Sequence, residues 1–195
     1  MQKKAMAIDT AIRAPLHCLD GSGHEIGSGM EISVDTGEVK AGGAGTVLRA
    51  GALGSCVALV AYDRSSSVGG IAHVMLPGAC IPARRNGGLP TRFAVNATGE
   101  LMRLMARESF GLNDLLLFLV GGGNVLGPGH DSPGPAIVRS LMRTLAAEGL
   151  TPLAMETGGS LRRTCTLDCM SGRVMYTVGD SPQRVLWYRE GGLIS

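Results

Sequence analysis

A cysteine and a histidine lie in two neighbouring apolar segments, an arrangement typical of a thiol nucleophile paired with its base. Cys56 directly precedes the apolar run 57–62, and His73 lies near the end of a second run, 68–75. The polar residues between the runs, 63–67, predict the turn of a hairpin. In an antiparallel hairpin His73 would lie roughly opposite the start of the first strand, close to Cys56. We therefore expect the imidazole to lower the thiol pKa, to leave the thiol partly ionised at neutral pH and to carry protons.

The two residues before Cys56 favour a sharp bend in the backbone. Gly54 and Ser55 would leave the amides of Ser55 and Cys56 free to point at a developing oxyanion. The structural alternative is that Cys56 is a small buried apolar residue and His73 a core histidine whose hydrogen bonds are satisfied. Spacing alone favours this alternative, because Cys–His motifs of this kind do not transfer between families.

Several short motifs carry a resemblance that supports the catalytic interpretation. The first are Gly54-Ser55-Cys56-Val57-Ala58, Asp63 and Ala72-His73-Val74-Met75-Leu76-Pro77. The later ones are Gly121-Gly122-Gly123 and Glu156-Thr157-Gly158-Gly159, followed by Arg163 and Gly172. Together they resemble the CheD family of chemoreceptor glutamine deamidases over residues 34–185. The resemblance implies that Cys56 is the nucleophile and His73 its base.

Three positions depart from the family pattern. The family usually has a threonine six residues before the cysteine, as the third member of its triad, and this chain has Ala50 there. A family motif Asn-x-Gly-x-Arg-Asn falls on residues 132–137, where only Gly134 agrees, and an expected acidic residue falls on Val95. These changes are compatible with an altered substrate surface or with a loss of activity.

The missing threonine hydroxyl leaves open which group orients the imidazole. A third triad member accepts a hydrogen bond from the ring and so fixes its tautomer, and a backbone carbonyl can do this as well as a side chain. The resemblance of the family to cysteine hydrolases of the necrotizing-toxin type implies that such a carbonyl suffices. We expect the main chain at Ala50 or Gly51 to take this role, with Thr46 and Ser55 as the other candidates.

Composition narrows the classes of function. The chain has 195 residues, a formal net charge of +2 and 4% aromatic residues, which argues against a nucleic-acid-binding surface. No apolar run approaches the roughly 20 residues of a membrane span, and the N-terminus lacks the apolar core of a signal peptide. Five cysteines, an odd number, fit a reducing compartment, so we expect a cytoplasmic protein. A zinc site at Cys165 and Cys169 is disfavoured because no second ligand pair lies nearby.

The pattern along the chain predicts one domain of the α+β class. Residues 1–29 are glycine-rich and weakly patterned, so we interpret them as a flexible N-terminal extension, and 30–195 as a single CheD-like domain. Helices are predicted from apolar stripes around 101–105 and 137–145, with Asn96 or Thr98 as the first cap and Gly111 as its stop. Strands are predicted at 31–39, 46–48, 57–62, 68–75, 115–120, 151–156, 163–168, 173–178 and 184–188.

These elements imply a layered sandwich of helices on mixed, mostly antiparallel β-sheets. After the apolar strand 115–120, we interpret Gly121-Gly122-Gly123 as a close approach to the strand that carries Cys56, because no phosphate-loop signature follows it. The loop 77–90 follows the His73 strand directly, and a lid, a docking edge and an ordinary connection all remain open for it.

The chemistry and the resemblance together point to hydrolysis of a side-chain amide. Cys56 would attack a glutamine carboxamide, amides near Ser55 and Cys56 would hold the oxyanion, and His73 would move the protons, with no metal or organic cofactor. The resemblance implies that the substrate is the cytoplasmic helical domain of chemoreceptors, and that a CheC-type phosphatase competes for this surface. The alternative is a catalytically impaired CheD-like binding module that regulates the receptor or the phosphatase.

Overall fold

The structure is a computed structural model that describes residues 29–81, 88–108, 114–127 and 131–189. In these ranges the chain forms two stacked β-sheets, with two helices on the outer face of one of them. The strands are β1 Met30–Ser33, β2 Val39–Gly42, β3 Thr46–Leu53, β4 Val57–Asp63, β5 Val68–Val74, β6 Leu115–Gly121, β7 Ala154–Thr157, β8 Arg163–Asp168, β9 Val174–Val178 and β10 Arg184–Trp187. The helices are α1 Ala94–Glu108 and α2 Gly134–Ala147, and a 3₁₀ turn spans Pro90–Arg92.

Each sheet has five strands in the described part of the chain. The first sheet has the order β1-β3-β8-β9-β10, and the second has the order β2-β5-β4-β6-β7. The pairs β1–β3 and β6–β7 are parallel, and the other pairs are antiparallel. This arrangement confirms the predicted α+β sandwich of helices on mixed, mostly antiparallel sheets.

Strand β4 lies at the centre of the second sheet and is buried on both faces. All seven of its residues are buried, which explains its unbroken apolar sequence. Odd-numbered residues such as Val57 and Leu59 face α1 and α2, in what we call the helix-side core. Even-numbered residues such as Ala58 and Val60 face the first sheet, in the inter-sheet core. Cys56, the residue before β4, therefore leads directly into a strand that is buried on both faces.

The predicted helical stripes are confirmed, but the predicted N-terminal cap of α1 is wrong. The helix begins at Ala94, before both candidates, and inside it the Thr98 hydroxyl donates to the Ala94 carbonyl. The other candidate, Asn96, instead accepts from the Cys80 amide. The first helical amide donates to the Leu76 carbonyl and the next to the Gly78 carbonyl, at 2.9 and 3.0 Å, so the loop after β5 replaces a side-chain cap. The predicted stop, Gly111, lies outside the described residues.

The prediction of one strand over residues 31–39 is wrong, because a turn divides this segment between the two sheets. Strand β1 ends at Ser33 in the first sheet, and β2 begins at Val39 in the second. Gly37 adopts φ of 84°, and the Glu38 amide donates to the Asp35 carbonyl at 2.8 Å, which closes the turn. We call residues Val34–Glu38 the crossover.

Two parts of the predicted domain organisation lie outside the described residues. The N-terminal extension proposed for 1–29 lies outside them, apart from Gly29, and so does residue 190 onward of the proposed domain 30–195. Within the described ranges, no helix has the length and apolar character needed to cross a bilayer.

Candidate functional site

The predicted hairpin is present and brings Cys56 and His73 into the same neighbourhood. Strands β4 and β5 pair antiparallel, and His73 lies directly opposite Ala58, two residues after Cys56. Residues directly opposite share one face of a sheet, as do residues two apart, so both side chains belong on the face toward the first sheet. The packing agrees, since Cys56 contacts the inter-sheet core. His73 is 3% exposed, whereas Cys56 is half-buried at the end of the strand.

The motif residue Asp63 closes the other end of this hairpin. Its carboxylate accepts hydrogen bonds from the Ser65 amide and hydroxyl, at 3.0 and 2.7 Å, and from the Ser66 hydroxyl at 2.8 Å. Asp63 therefore fixes the turn, and through it the register that sets His73 against Ala58. Its effect on the site is indirect, because it lies at the opposite end of β4 from Cys56.

The imidazole of His73 is oriented by a backbone carbonyl. Its Nδ1 lies 3.0 Å from the Val34 carbonyl oxygen, at the start of the crossover. A carbonyl can only accept, so Nδ1 carries the proton and Nε2 of the neutral ring has a free lone pair. Nε2 is buried and has no hydrogen-bond partner within the described residues. The ring is thus held in the tautomer that a general base at Nε2 requires.

The predicted source of this carbonyl was a different strand. The structure gives the role to Val34 and not to Ala50 or Gly51, and the ring nitrogen does not contact the Thr46 or Ser55 hydroxyl. The reason lies in the parallel pairing of β1 with β3: the Val34 amide donates to the Arg49 carbonyl at 2.8 Å, so the chain after β1 lies between β3 and the histidine.

The position of Ala50 follows from the same pairing. Ala50 is fully buried in the inter-sheet core, on β3, opposite Cys165 of β8. Cys165 and Cys169 are also core residues, and burial raises the pKa of each thiol to about 12. Ala50 therefore contributes packing where the family threonine would contribute a hydroxyl.

Burial decides the protonation state of His73. Desolvation lowers the pKa of the imidazole below its ordinary value, and this outweighs the Val34 hydrogen bond and the charges of Asp35 and Glu38, which raise it. The ring is consequently neutral at neutral pH. This is the form in which Nε2 can accept a proton.

Burial also opposes ionisation of Cys56. Desolvation raises the pKa of the thiol, and a hydrogen bond from the residue's own amide lowers it by a smaller amount. The expectation of a partly ionised thiol at neutral pH is therefore corrected: the resting thiol is un-ionised and the imidazole is neutral. The Cys56 amide is one of the two amides expected from the sequence to hold an oxyanion.

The backbone before Cys56 bends through an irregularity in β3. The register of β3 against β8 shifts between Ala50 and Leu53, and Ala52 adopts the left-handed φ of 53°. The Gly54 amide then donates to the Ala52 carbonyl at 2.9 Å. Gly54 and Ser55, the predicted bend residues, form the half-buried connection from this bulge to β4.

The predicted close approach of the glycine run is confirmed. The Gly122 amide donates to the Cys56 carbonyl and the Gly123 amide to the Gly54 carbonyl, both at 2.8 Å. Gly121 adopts φ of 118°, and a Cβ atom on it would lie 2.3 Å from the Cys56 carbonyl oxygen. These contacts use the carbonyls of the Cys56 segment and fix its path.

A second glycine turn, Gly158-Gly159, holds the segment that follows the glycine run 121–123. The Asn124 amide donates to the Gly159 carbonyl at 2.7 Å. Behind this turn the buried Arg163 guanidinium donates to the Gly158 carbonyl and to the Glu156 carboxylate, the latter at 2.9 Å. The C-terminal motif is thus a support for the glycine run and, through it, for the Cys56 backbone.

Sequence reasoning missed the crossover as part of the site. The sequence of residues 35–38, Asp-Thr-Gly-Glu, is a turn signal, but the alternating pattern on either side of it favoured one continuous strand. Recognising this turn would have separated β1 from β2. The contact of Val34 with His73 joins residues 39 apart in sequence and has no local signal.

Substituting Gly121 tests the fixed path of the Cys56 backbone. Gly121→Ala introduces a Cβ atom against a backbone oxygen and forces alanine into a positive φ, so we expect a loss of about 3 kcal/mol in the free energy of unfolding. Gly43→Ala is the matched control, because no atom lies within 4 Å of its Cβ position, and we expect a change below about 0.5 kcal/mol. Urea unfolding measures both, and equal changes would contradict the close-contact account.

The lowered pKa of His73 predicts a pH dependence of stability. The unfolded state binds a proton near the ordinary pKa of about 6.5, whereas the folded state resists it until lower pH, so stability is complete above about 6.5 and declines as the pH falls. One such group contributes a slope of at most about 1.4 kcal/mol per pH unit. We expect His73→Gln to have a smaller slope than the parent between pH 6.5 and 5.5, measured by urea unfolding. Parallel slopes would show that the imidazole is equally protonated in both states.

Comparison with known proteins identifies the family of this chain. A family model described as CheD chemotactic sensory transduction matches residues 75–178. A protein of Chlorobium luteolum named "Probable chemoreceptor glutamine deamidase CheD" is 39% identical over 173 residues, which cover 88% of this chain and 84% of that protein.

More distant relatives carry the same name. A protein of Methanococcus maripaludis strain DSM 14266 is 32% identical over 129 residues, covering 65% of this chain and 82% of that protein. A protein of Clostridium botulinum strain Eklund 17B is 29% identical over 126 residues, covering 63% and 76%. The family match and the 39% identity over most of both chains show that this chain belongs to the CheD family.

Proposed function

We propose that this protein is a protein-glutamine deamidase, which hydrolyses the side-chain amides of chemoreceptor glutamines to glutamate. One observation carries the proposal: a buried neutral imidazole, held at Nδ1 by the Val34 carbonyl, shares a sheet face with Cys56. The names of the relatives supply the substrate class. The proposal is supported by a half-buried thiol and a neutral imidazole on one sheet face, two of the groups that this hydrolysis needs.

The first half-reaction forms a thioester and releases ammonia. His73 Nε2 accepts the Cys56 thiol proton as the sulfur attacks the glutamine carboxamide carbon, and the carbonyl oxygen becomes an oxyanion. The Cys56 amide, with that of Ser55, stabilises this charge. As the carbon–nitrogen bond breaks, the imidazolium returns the proton to the nitrogen, and ammonia leaves.

The second half-reaction restores the thiol. Nε2, neutral again, takes a proton from water as the water oxygen attacks the thioester carbon. The imidazolium then protonates the departing Cys56 sulfur, and the product carboxylic acid ionises to glutamate. Because the thiol is un-ionised at rest, the base must act in the attack step itself, and the activity depends on neutral His73.

The binding-module alternative has its own supporting observations. Ala50 lacks the family hydroxyl, and burial raises the Cys56 pKa, so the resting thiol is a weak nucleophile. In this alternative the chain binds the receptor, or a CheC-type phosphatase, without converting glutamine. The proposed substrate is the cytoplasmic helical part of the receptor, and the phosphatase competes for the same surface of this chain, so we infer a cytoplasmic location for both functions.

Removing the nucleophile tests the proposal. Cys56→Ala removes the attacking sulfur, so we expect deamidation of a chemoreceptor cytoplasmic fragment to fall by at least about a thousandfold while the fold persists. Mass spectrometry of fragment peptides reads the conversion, because each deamidated glutamine gains about one dalton. Cys80→Ala, at another half-buried cysteine, is the matched control and should retain the parent rate.

The outcomes separate the two functions. Conversion by the parent and by Cys80→Ala but not by Cys56→Ala supports the enzyme. Conversion by Cys56→Ala would eliminate the thiol mechanism. Binding of the fragment by the parent with no conversion would establish the binding module.

Restoring the family hydroxyl tests whether the Val34 carbonyl suffices. Since Nδ1 already donates to Val34, we expect Ala50→Thr to change the deamidation rate by less than about tenfold, or roughly 1.4 kcal/mol of barrier, relative to Ala50→Val. Valine matches the size of threonine in this fully buried position, so the comparison isolates the hydroxyl from overpacking. A much larger advantage for threonine would mean that the carbonyl orients the ring poorly.

A further inference from the structure

The crossover contacts His73 at three points, through both backbone groups and the ring. The His73 amide donates to the Glu38 carbonyl at 3.0 Å, and the Gly37 amide donates to the His73 carbonyl at 2.8 Å. The ring Nδ1 bonds the Val34 carbonyl at 3.0 Å. One five-residue segment therefore sets both the position of the residue and the rotation of its ring.

The Glu38 carboxylate holds this segment closed. One of its oxygens accepts from the Asp35 amide at 2.9 Å, across the turn that the Glu38 amide closes from the other side. The same oxygen lies 2.8 Å from Lys40 Nζ, and Lys40 in turn donates to the Ser33 carbonyl at 2.7 Å. Glu38 thus connects both ends of the crossover, including the peptide beside Val34.

The same carboxylate belongs to the segment that contacts His73, a group that must become cationic in the proposed reaction. His73 is nearly inaccessible to water, so the imidazolium formed during the reaction gains little from solvent. Two carboxylates in the described residues favour the cation, Asp35 and Glu38, both on the crossover. Three other titratable groups come from the neighbouring elements. Lys40 of β2 forms an ion pair with Glu38, Cys56 precedes β4, and Arg49 of β3 has an exposed side chain.

We propose that Glu38 is a positioning residue of the reaction: it closes the crossover on His73 and supplies negative charge that stabilises the imidazolium. This inference rests on the proposed deamidase function. It adds to the cysteine and the histidine a residue that contacts neither substrate nor thiol. Because Glu38 acts by positioning His73 and stabilising its cation, we expect it to affect kcat and its pH dependence more than substrate binding.

Three variants, compared in steady-state deamidation assays, separate the effect of the Glu38 charge from the effect of its hydrogen bond. Glu38→Gln keeps an acceptor for the Asp35 amide but removes the charge, so we expect kcat to fall about threefold with KM within about twofold. The acid limb of the kcat/KM profile should move to lower pH by about half a unit, because loss of a nearby anion disfavours the imidazolium. Glu38→Asp keeps the charge and should retain the parent's acid limb. Glu31→Gln, an exposed acid on β1, is the matched control and should match the parent throughout.

An activity-independent measurement distinguishes this inference from the deamidase proposal. In the Cys56→Ala protein, NMR titration of the His73 ring should give a lower pKa with Glu38→Gln than without it. If the parent does not deamidate the fragment, the proposed function fails while this titration still reports the charge effect. An unchanged ring pKa, or an acid limb that stays in place in Glu38→Gln, would overturn the role of Glu38.

Discussion

The hydrogen bond between His73 Nδ1 and the Val34 carbonyl is the interaction on which the rest of the site depends. It requires a strand of the first sheet to end beside a strand of the second, which the crossover provides. It also fixes the tautomer, because a carbonyl cannot donate, and so leaves Nε2 as the basic nitrogen. An imidazole oriented in this way needs no third side chain, so the proposed reaction is compatible with the buried alanine at position 50.

The proposed nucleophile, Cys56, is placed by a different means, through its backbone. A bulge in β3, two amides of the glycine run and the support of Arg163 behind the second glycine turn all act on the segment 54–56. These contacts engage the Gly54 and Cys56 carbonyls and so fix the path of the segment. The two catalytic candidates are therefore held by separate parts of the fold: the glycine turns hold one, and the crossover holds the other.

Most of the elements that depend on short stretches of sequence were predicted correctly. The two apolar runs and the polar turn between them predicted the hairpin of Cys56 and His73, and the uninterrupted apolar residues 115–120 predicted a doubly buried strand. The division of 31–39 was missed because a four-residue turn interrupts an otherwise strand-like sequence. The Val34 contact was missed because it depends on how two sheets stack, and the raised Cys56 pKa because burial is a property of the whole fold.

The position of the crossover has a consequence for how activity is lost. Strands β1 and β2 are at the edges of their sheets, whereas β4, which begins next to Cys56, is central and buried on both faces. Local opening starts at edges, where fewer contacts must break, and reaches central strands last. Fraying of β1 would release the Val34 carbonyl from the imidazole while the hairpin and core remain folded. A form opened in this way would keep its compactness and the Cys56 thiol but lose the alignment of the His73 imidazole.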